Sequence, residues 1–318
     1  MENFISFYRL PSLLSIKLPK SQSKTNTGRA SMKAKNKEPS MHEAIIQALL
    51  AIDPAQATDT HKKRLTDVWN LMQDGSLRAA SRNGGKWEVN KSVKEIILWA
   101  FRAGVLVDFE ASGSFSFTDK DTLPVRHFHA NDGIRIVPGG TTIRVGAHVA
   151  PGVIIMPPSY INTGAFVDEG TLVDSHALVG SCAQIGKNVH LSAGVQIGGV
   201  LEPAGAMPVV IEDDVLVGGN CGIYEGTRVC ARAVIGTGVI LTRSTPVYDL
   251  INATVYSASD DSPLCIPPDA VVVQGSRPAR GAFAHDQQIH IYTPVIVKYR
   301  DAGTSAKSAL EQALREIA

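Results

Sequence analysis

The 318-residue sequence predicts an all-β core with α-helical additions, and three observations predict it. The first is a period. Every sixth residue from Val137 to Ile197 is aliphatic: Val137, Ile143, Val149, Ile155, Ile161, Val167, Val173, Val179, Ile185, Leu191 and Ile197. The series resumes as Ile211, Val217, Ile223, Val229, Ile235 and Leu241. The second observation is a small or β-branched residue four places after each aliphatic, as in Ala147, Val153, Ser159, Ala165 and Thr171. The third is the glycine series Gly146, Gly152, Gly164, Gly170, Gly180, Gly186, Gly194 and Gly198, which falls between the aliphatic positions. A period of six matches neither a helix nor an ordinary strand. It is an internal repeat of the kind that builds a parallel β-helix. Three hexads make one triangular coil, each flat side a short strand. Stacked aliphatics form a continuous core, and backbone hydrogen bonds run from coil to coil.

The elements follow in chain order. Residues 1–40 hold eight Lys or Arg against two Glu, with many Ser, Thr and Asn. That is the composition of a disordered basic leader. A transit peptide and an early start, with Met41 the true beginning, are the other readings. A leader without catalytic role is expected. A secretory signal is not, because Pro11, Ser12, Ser15 and Lys17 break the apolar stretch around Leu10 to Leu18.

Residues 41–125 read as an N-terminal α-helical domain. His42 to Ile52 has helical periodicity and stops near Asp53-Pro54. Asp59 to Gln73 sets Leu65, Val68, Trp69 and Met72 on one face, with Gly75 just beyond. Trp87 and Val89 suggest a short extended stretch after the Asn83-Gly84-Gly85 turn. Asn90 is placed to cap a third helix that buries Val93, Ile96, Ile97, Ala100 and Phe101 and ends at Gly104. Residues 105 to 135 form a mixed connector.

The β-helix is expected over 126–275. Two insertions break its register: Val200 to Pro208, and Arg243 to Pro268 with its turn-rich SASDDSP stretch. Long loops on a rigid solenoid carry function. A C-terminal extension, 276–318, follows. Val271 to Val273 and Val295 to Val297 are the final strands. Ser308 and Glu311 form a capping box for a helix that buries Leu310, Leu314 and Ile317.

Bulk properties narrow the partners. The net charge of +1 gives no reason to expect nucleic acid or an anionic membrane. No apolar run approaches the roughly 18 to 20 residues of a membrane span. The four cysteines, Cys182, Cys221, Cys230 and Cys265, contain no CxxC pair and read as free thiols in a reducing compartment, which places the chain in the cytoplasm.

Tyr160 to Pro203 reads YINTGAFVDEGTLVDSHALVGSCAQIGKNVHLSAGVQIGGVLEP. These runs resemble the tetrahydrodipicolinate N-succinyltransferase family. So do MPPSYIN just before them, WEVNKSVKEIILWAFR at Trp87 to Arg102, and VIVK at Val295 to Lys298. The resemblance spans roughly residues 41 to 318. It implies a left-handed coil, an exception to the usual right-handed crossover. It also implies a homotrimer with active sites between neighbouring β-helices. The implied reaction moves succinyl from succinyl-CoA to the amino group of L-2-amino-6-oxopimelate, within lysine and diaminopimelate biosynthesis.

Aminolysis of a thioester needs alignment of two substrates and a group to take the amine's proton. Asp174 matches the family's substrate-binding aspartate. It is the expected catalytic carboxylate, with a turn-capping role as the plain alternative. Arg135, in GIRIVP, matches the family's substrate-binding arginine, whose fork can hold a carboxylate in two-pronged geometry. Some relatives carry a glutamate where this chain has Gly222, which leaves Glu225 as the second catalytic candidate. His176 and His190 read as structural histidines. His148, His176 and His190 do not share one place in the hexad, so no metal site is expected. The phosphates of CoA need cations, and Lys187, Arg277, Arg280 and Lys298 are candidates beside the plain reading of solvated charge. No permanently bound cofactor is expected. An acetyl-CoA-dependent transferase of the same fold is one alternative, and a non-catalytic β-helix binding protein is another.

Overall fold

The computed structural model describes residues 41–109, 116–260, 262–301, 305 and 306. The leader and the capped C-terminal helix lie outside the described residues.

The predicted coil is present as three parallel sheets around one core. The first face runs from Arg135–Ile136 through Ile154–Ile155, Leu172–Val173, His190–Leu191 and Leu216–Val217 to Val234–Ile235. The second runs from Thr142–Ile143 to Ile240–Leu241, and the third from His148–Val149 to Cys265–Ile266. Each rung is two residues long, and its second residue is the aliphatic of the hexad. Val173, Val179, Ile185, Leu191 and Ile197 are all 0% exposed. The small residue of each corner turns inward as well, and Ser159 and Thr171 are satisfied there, while Thr227 Oγ1 is buried with no hydrogen-bond partner among the described residues. Ser159 Oγ donates to the carbonyls of Met156 and Asp174 at 2.7 and 2.9 Å, and Thr171 Oγ1 to that of Gly186 at 2.9 Å. These bonds remove the penalty of burying a hydroxyl.

Two expectations need correction. Val137 does not open the inward series: Ile136 pairs with Ile155, and Ile134 and Ile136 are the residues that pack on the core. The corner Pro138-Gly139-Gly140 takes one residue more than the later corners, with Gly139 at φ 142° and Gly140 at φ 90°. The second insertion ends at Leu264 instead of Pro268, because Cys265–Ile266 already pairs with Arg228–Val229. Inside that insertion Val247–Asp249 and Thr254–Tyr256 form a hairpin that joins the edge of the first face. The final strands are longer than expected. Ala270–Pro278 and His290–Tyr299 make an antiparallel hairpin with a short helix, Ala282–Asp286, at its tip.

The helices fall where the periodicity puts them: α1 at Met41–Leu50, α2 at Asp59–Gln73 and α3 at Lys91–Ala103. The Asn90 side chain accepts from the Val93 N–H, as its cap position requires. Between α2 and α3 a tight hairpin joins Ala80–Asn83 to Lys86–Val89. Phe101 is only half-buried. Val93, Ile96, Ile97 and Ala100 are buried as predicted, and Lys94 and Trp99 are buried beside them, so the buried face of α3 is wider than the predicted one. The connector contains an antiparallel pair, Leu106–Phe109 with Phe117–Lys120. Among the described residues no helix is long and apolar enough to cross a membrane.

The helical core seats directly on the edge between the second and third faces. Val145 and Cys182 of the coil belong to the same apolar cluster as Trp69, Ile97 and Trp99. Gly146 marks the contact. It has φ 73°, and a Cβ there would lie 2.8 Å from the Trp69 ring. Gly146→Ala should therefore destabilise the protein by about 1–3 kcal/mol, through left-handed strain and overpacking together. Gly205→Ala is the control, since nothing lies within 4 Å of a Cβ there. Denaturant midpoints that fall equally for both variants would remove the Trp69 contact as the cause.

Candidate active site

Both insertions leave the coil at one edge, the corner between the second and third faces. The first runs from Ile197 to Val210, and the second from Leu241 to Cys265. One short corner, Tyr224 to Thr227, lies between them. Together they enclose a cleft of about 770 Å³, whose walls include Gly198, Gly199, Tyr224, Glu225, Arg243 and Asp260.

Each wall is fixed by a contact the repeat does not supply. Lys94 of α3 is 0% exposed and donates through Nζ to the carbonyl of Ala206, tying the first insertion to the helical domain. Burial lowers the pKa of this ammonium, opposed by the nearby Cys182. The second insertion is pinned by Arg243. Its backbone N–H donates to Glu225 Oε2 at 2.8 Å, and its guanidinium donates to the carbonyl of Ser259 and, at 3.3 Å, to that of Asp260.

The corner between the insertions is strained. Other coil corners take a single residue at positive φ, such as Asn188, Asp214 or Asn220. Here two follow in succession, Glu225 at 54° and Gly226 at 73°. Left-handed backbone is tolerated by Gly, Asn and Asp far better than by Glu. A Cβ on Gly226 would come within 2.6 Å of the Met207 carbonyl, so the corner and the first insertion touch backbone to backbone. Tyr224 swings back over the second face. Its ring would lie 2.4 Å from a Cβ on Gly222 and 2.8 Å from one on Gly198. The Tyr224 ring thus fills the place above Gly222, and no longer side chain fits there without moving it.

The remaining sequence candidates are scattered. Asp174 sits at the edge between the first and second faces, half-buried, with Oδ1 accepting from the Ser175 N–H at 2.7 Å. Asn162 and Asp168 make the same bond to Thr163 and Glu169 at their own corners. The turn-capping role of Asp174 is therefore real. Its Oδ2 has no partner among the described residues and stays open to a ligand. Arg135 is exposed on the first face, in the column Arg135, Ile154, Leu172, two rungs from Leu172. At about 4.8 Å per rung that is roughly 10 Å along the stack from the level of Asp174.

Asp174 and Glu225 occupy different edges, so one chain does not bring the two carboxylates together. Lys187 sits at the third edge, its Nζ 2.6 Å from Glu169 Oε1, while its backbone N–H donates to Asp213 Oδ1. The bond to Glu169 raises the Lys187 pKa and occupies its charge. Arg277 stands opposite Ile291 near the far end of the terminal hairpin, and Lys298 opposite Val271 at its base. The cations expected to hold CoA are not gathered in one place. The guanidinium in the cleft is that of Arg243, which the sequence reading placed only as the start of an insertion.

Lys94, Tyr224 and Arg243 were not identified as site residues from the sequence. Lys94 left one signal: it stands at i, i+3, i+7 with Ile97 and Phe101, a cation inside an apolar arc. His148, by contrast, is structural, as its ring stacks on Phe166 at 4.3 Å and its Nδ1 meets the Gln73 carbonyl at 2.9 Å.

Comparison with known proteins adds the family. Residues 40–103 match the model described as the tetrahydrodipicolinate N-succinyltransferase N-terminal region, and residues 208–243 match the hexapeptide repeat of succinyl-transferase. The chain is similar to three proteins named 2,3,4,5-tetrahydropyridine-2,6-dicarboxylate N-succinyltransferase. The one from Cupriavidus necator is 39% identical over 83% of this chain and 93% of its own length. That from Coxiella burnetii is 40% identical over 81% and 93%. That from Nitrosospira multiformis is 40% identical over 80% and 90%.

Lys94→Met should keep the helical core packed, since the volumes are similar, while releasing the first insertion. A hydrogen bond from a charged donor contributes roughly 1.5–3 kcal/mol. Amide exchange across Val200 to Met207 should therefore accelerate at least about tenfold. Exchange unchanged from the parent would show that other contacts hold this wall of the cleft.

Proposed function

The chain belongs to the tetrahydrodipicolinate N-succinyltransferase family, and we propose that it transfers succinyl from succinyl-CoA to the amino group of L-2-amino-6-oxopimelate, releasing CoA. Its fold is the left-handed parallel β-helix expected of that family, with the helical domain at its N-terminal side. The reaction belongs to lysine and diaminopimelate biosynthesis. The observation that carries this reading is identity near 40% to named succinyltransferases over some four-fifths of the chain.

The residues fit thioester aminolysis. The donor is already activated, so no covalent enzyme intermediate is needed, and much of the rate can come from alignment. Asp174 offers the open Oδ2 to the acceptor amine and takes its proton as the amide forms. Arg135, on the first face beside that edge, is spaced to hold a carboxylate at the far end of a pimelate-length diacid. Its fork gives two parallel bonds that a lysine could not. Glu225, on the neighbouring edge, joins this pair when a second copy of the chain lies alongside. A homotrimer, with clefts formed between adjacent coils, supplies that arrangement. Exposed apolar residues on the terminal hairpin, among them Phe283, Ile291 and Tyr292, support association of copies.

Donor choice follows from charge. A succinyl group ends in a carboxylate and an acetyl group does not. Arg243 is the guanidinium of the cleft, and it favours succinyl over the acetyl alternative. The CoA moiety is a co-substrate. Lys187, Arg277 and Lys298 stay candidates for its phosphates, Lys187 the weakest because Glu169 already pairs with it.

Two measurements test the assignment. Asp174→Asn keeps the corner bond to Ser175, because its amide oxygen still accepts, yet it cannot take a proton. General-base contributions run about 10²- to 10⁴-fold, so kcat should fall at least roughly a hundredfold with succinyl-CoA still bound. Glu225→Gln is the comparison, and a crippled Glu225→Gln beside a nearly normal Asp174→Asn would reverse the two roles. For the donor, CoA release is compared with succinyl-CoA and acetyl-CoA. Arg243→Gln should raise the succinyl-CoA KM at least about tenfold, the loss of a charged hydrogen bond, and leave the slow acetyl-CoA rate unchanged. Equal losses with both donors would place Arg243 in the architecture of the cleft instead of at the succinyl carboxylate.

A further inference from the structure

A second cluster of reactive side chains lies on the third face, apart from the residues given roles above. Cys265–Ile266 is the rung on which the chain returns from the second insertion, and it pairs with Arg228–Val229. Cys230 follows that rung at the corner. The two sulfurs are 3.4 Å apart. Arg228 straddles one of them, with Nε 3.3 Å and Nη2 3.2 Å from Cys265 Sγ. Glu212 lies close enough to act on this cluster and opposes thiolate formation, but its oxygens accept from Trp87 Nε1 at 2.9 Å and the Ala231 N–H at 3.1 Å, while the Arg228 fork is directed at the Cys265 sulfur. Cys265 is half-buried, so a small reagent can reach it, whereas Cys230 is 8% exposed.

We propose that Cys265 and Cys230 form a peroxide-sensitive dithiol, in which Cys265 is the attacking sulfur and Cys230 resolves the product. A thiolate is the nucleophile, and a thiolate forms where cations and donors face the sulfur. Cys265 has both, the Cys230 S–H and the Arg228 fork, and they hold its pKa below that of an ordinary thiol. Cys230 moves the other way, pushed up by that hydrogen bond and by burial. Cys182 has Lys94 nearby and Cys221 meets the backbone of Gly238 and Val239, yet burial outweighs both and raises them to about 12 and about 11. The four thiols are therefore chemically unequal in one chain.

The steps balance with hydrogen peroxide as oxidant. The Cys265 thiolate attacks one peroxide oxygen, the O–O bond breaks, and the departing hydroxide takes a proton to become water. Sulfur loses two electrons and becomes a sulfenic acid. Cys230 then attacks that sulfur, the S–O bond breaks, and the Cys230 proton leaves with hydroxide as a second water. Two thiols and one peroxide give one disulfide and two waters. The register makes the bridge reversible. Arg228 is directly opposite Cys265, so Cys230 stands diagonally, about 7–8 Å away at Cα in a regular sheet. That is beyond the roughly 7 Å a disulfide spans without backbone movement, so closing the bridge must draw the two rungs together. A bridge under such tension is readily reduced. It also pulls on the rung that closes the second insertion, which carries Arg243 and Asp260 into the cleft.

The test uses the full chain and hydrogen peroxide, with peptide mapping by mass spectrometry. One equivalent should yield a Cys230–Cys265 linkage that dithiothreitol removes, with Cys182 and Cys221 still reduced. In Cys230→Ser the sulfenic acid should persist on Cys265 and be trapped by dimedone. Arg228→Gln should slow iodoacetamide labelling of Cys265 near neutral pH at least about tenfold and move its pH profile upward. The proposal is overturned if Cys265 labels no faster than Cys182, or if peroxide links other cysteines or other chains first. It is equally overturned if Arg228→Gln leaves the pH profile where it was. None of these readouts depends on acyl transfer.

Discussion

The backbone ladder between successive coils is the constraint on which everything else in this molecule rests. Each rung has two residues, the first facing out and the second facing in, and each bonds only to the rung above and below. A slip of one residue would turn the aliphatic of every hexad to the surface. Added residues can enter only at corners, where no rung is displaced. Both insertions obey this rule. They leave after Ile197 and after Leu241, and the chain re-enters at Val210 and Cys265 in the register it left. The cleft exists because the two departures share an edge, with one unmodified corner between them.

Corners then decide which side chains are available for chemistry. Most hold one left-handed residue, and Gly, Asn and Asp supply it at little strain. Glu225 is in this conformation beside Gly226, and its carboxylate accepts from the Arg243 backbone. Strain of this kind persists only where surrounding contacts over-determine it. The contacts are visible: Met207 against Gly226 on one side, Arg243 on the other, and Lys94 behind the first insertion. The helical domain is thus part of the cleft's construction, because its buried lysine fixes a loop more than a hundred residues away in sequence.

The fold was legible because the inward positions of a narrow tube admit few residue types, and a period of six has no other common cause. The helices were legible through Asn90, Gly75 and the apolar faces of α2 and α3. Errors fell where local rules yield to packing. Val137 has the right chemistry for the series, yet the Pro138-Gly139-Gly140 corner shifts the frame to Ile136. Phe101 has the right spacing, yet Trp99 takes the buried place because its Nε1 finds the Ile52 carbonyl at 2.8 Å. The site was legible in part. Asp174 and Arg135 stood out through runs that resemble a family, and neither could be assigned from charge or spacing. Tyr224 could not be read at all, since its importance lies in two glycines, Gly198 and Gly222, that leave room for its ring. The Cys265, Cys230 and Arg228 cluster was hidden for a similar reason. Two sulfurs 35 residues apart in sequence meet only because an insertion intervenes between adjacent rungs.

A rigid prism also limits how a site can be completed. Arg135 lies on the first face and Asp174 on that face's edge with the second, two coils apart along the stack. Glu225 lies on another edge, two coils away. Domain closure within one chain cannot join them, because the ladder that fixes each position is the core itself. The two insertions are the long loops of the coil, but they sit on the edge of Glu225 and not on that of Asp174. The only surface able to bring an Asp174 edge against a Glu225 edge is that of another copy laid alongside. The proposed pairing of Asp174 with Glu225 therefore calls for a second copy, and a contact between unlike edges is met by a closed ring of copies.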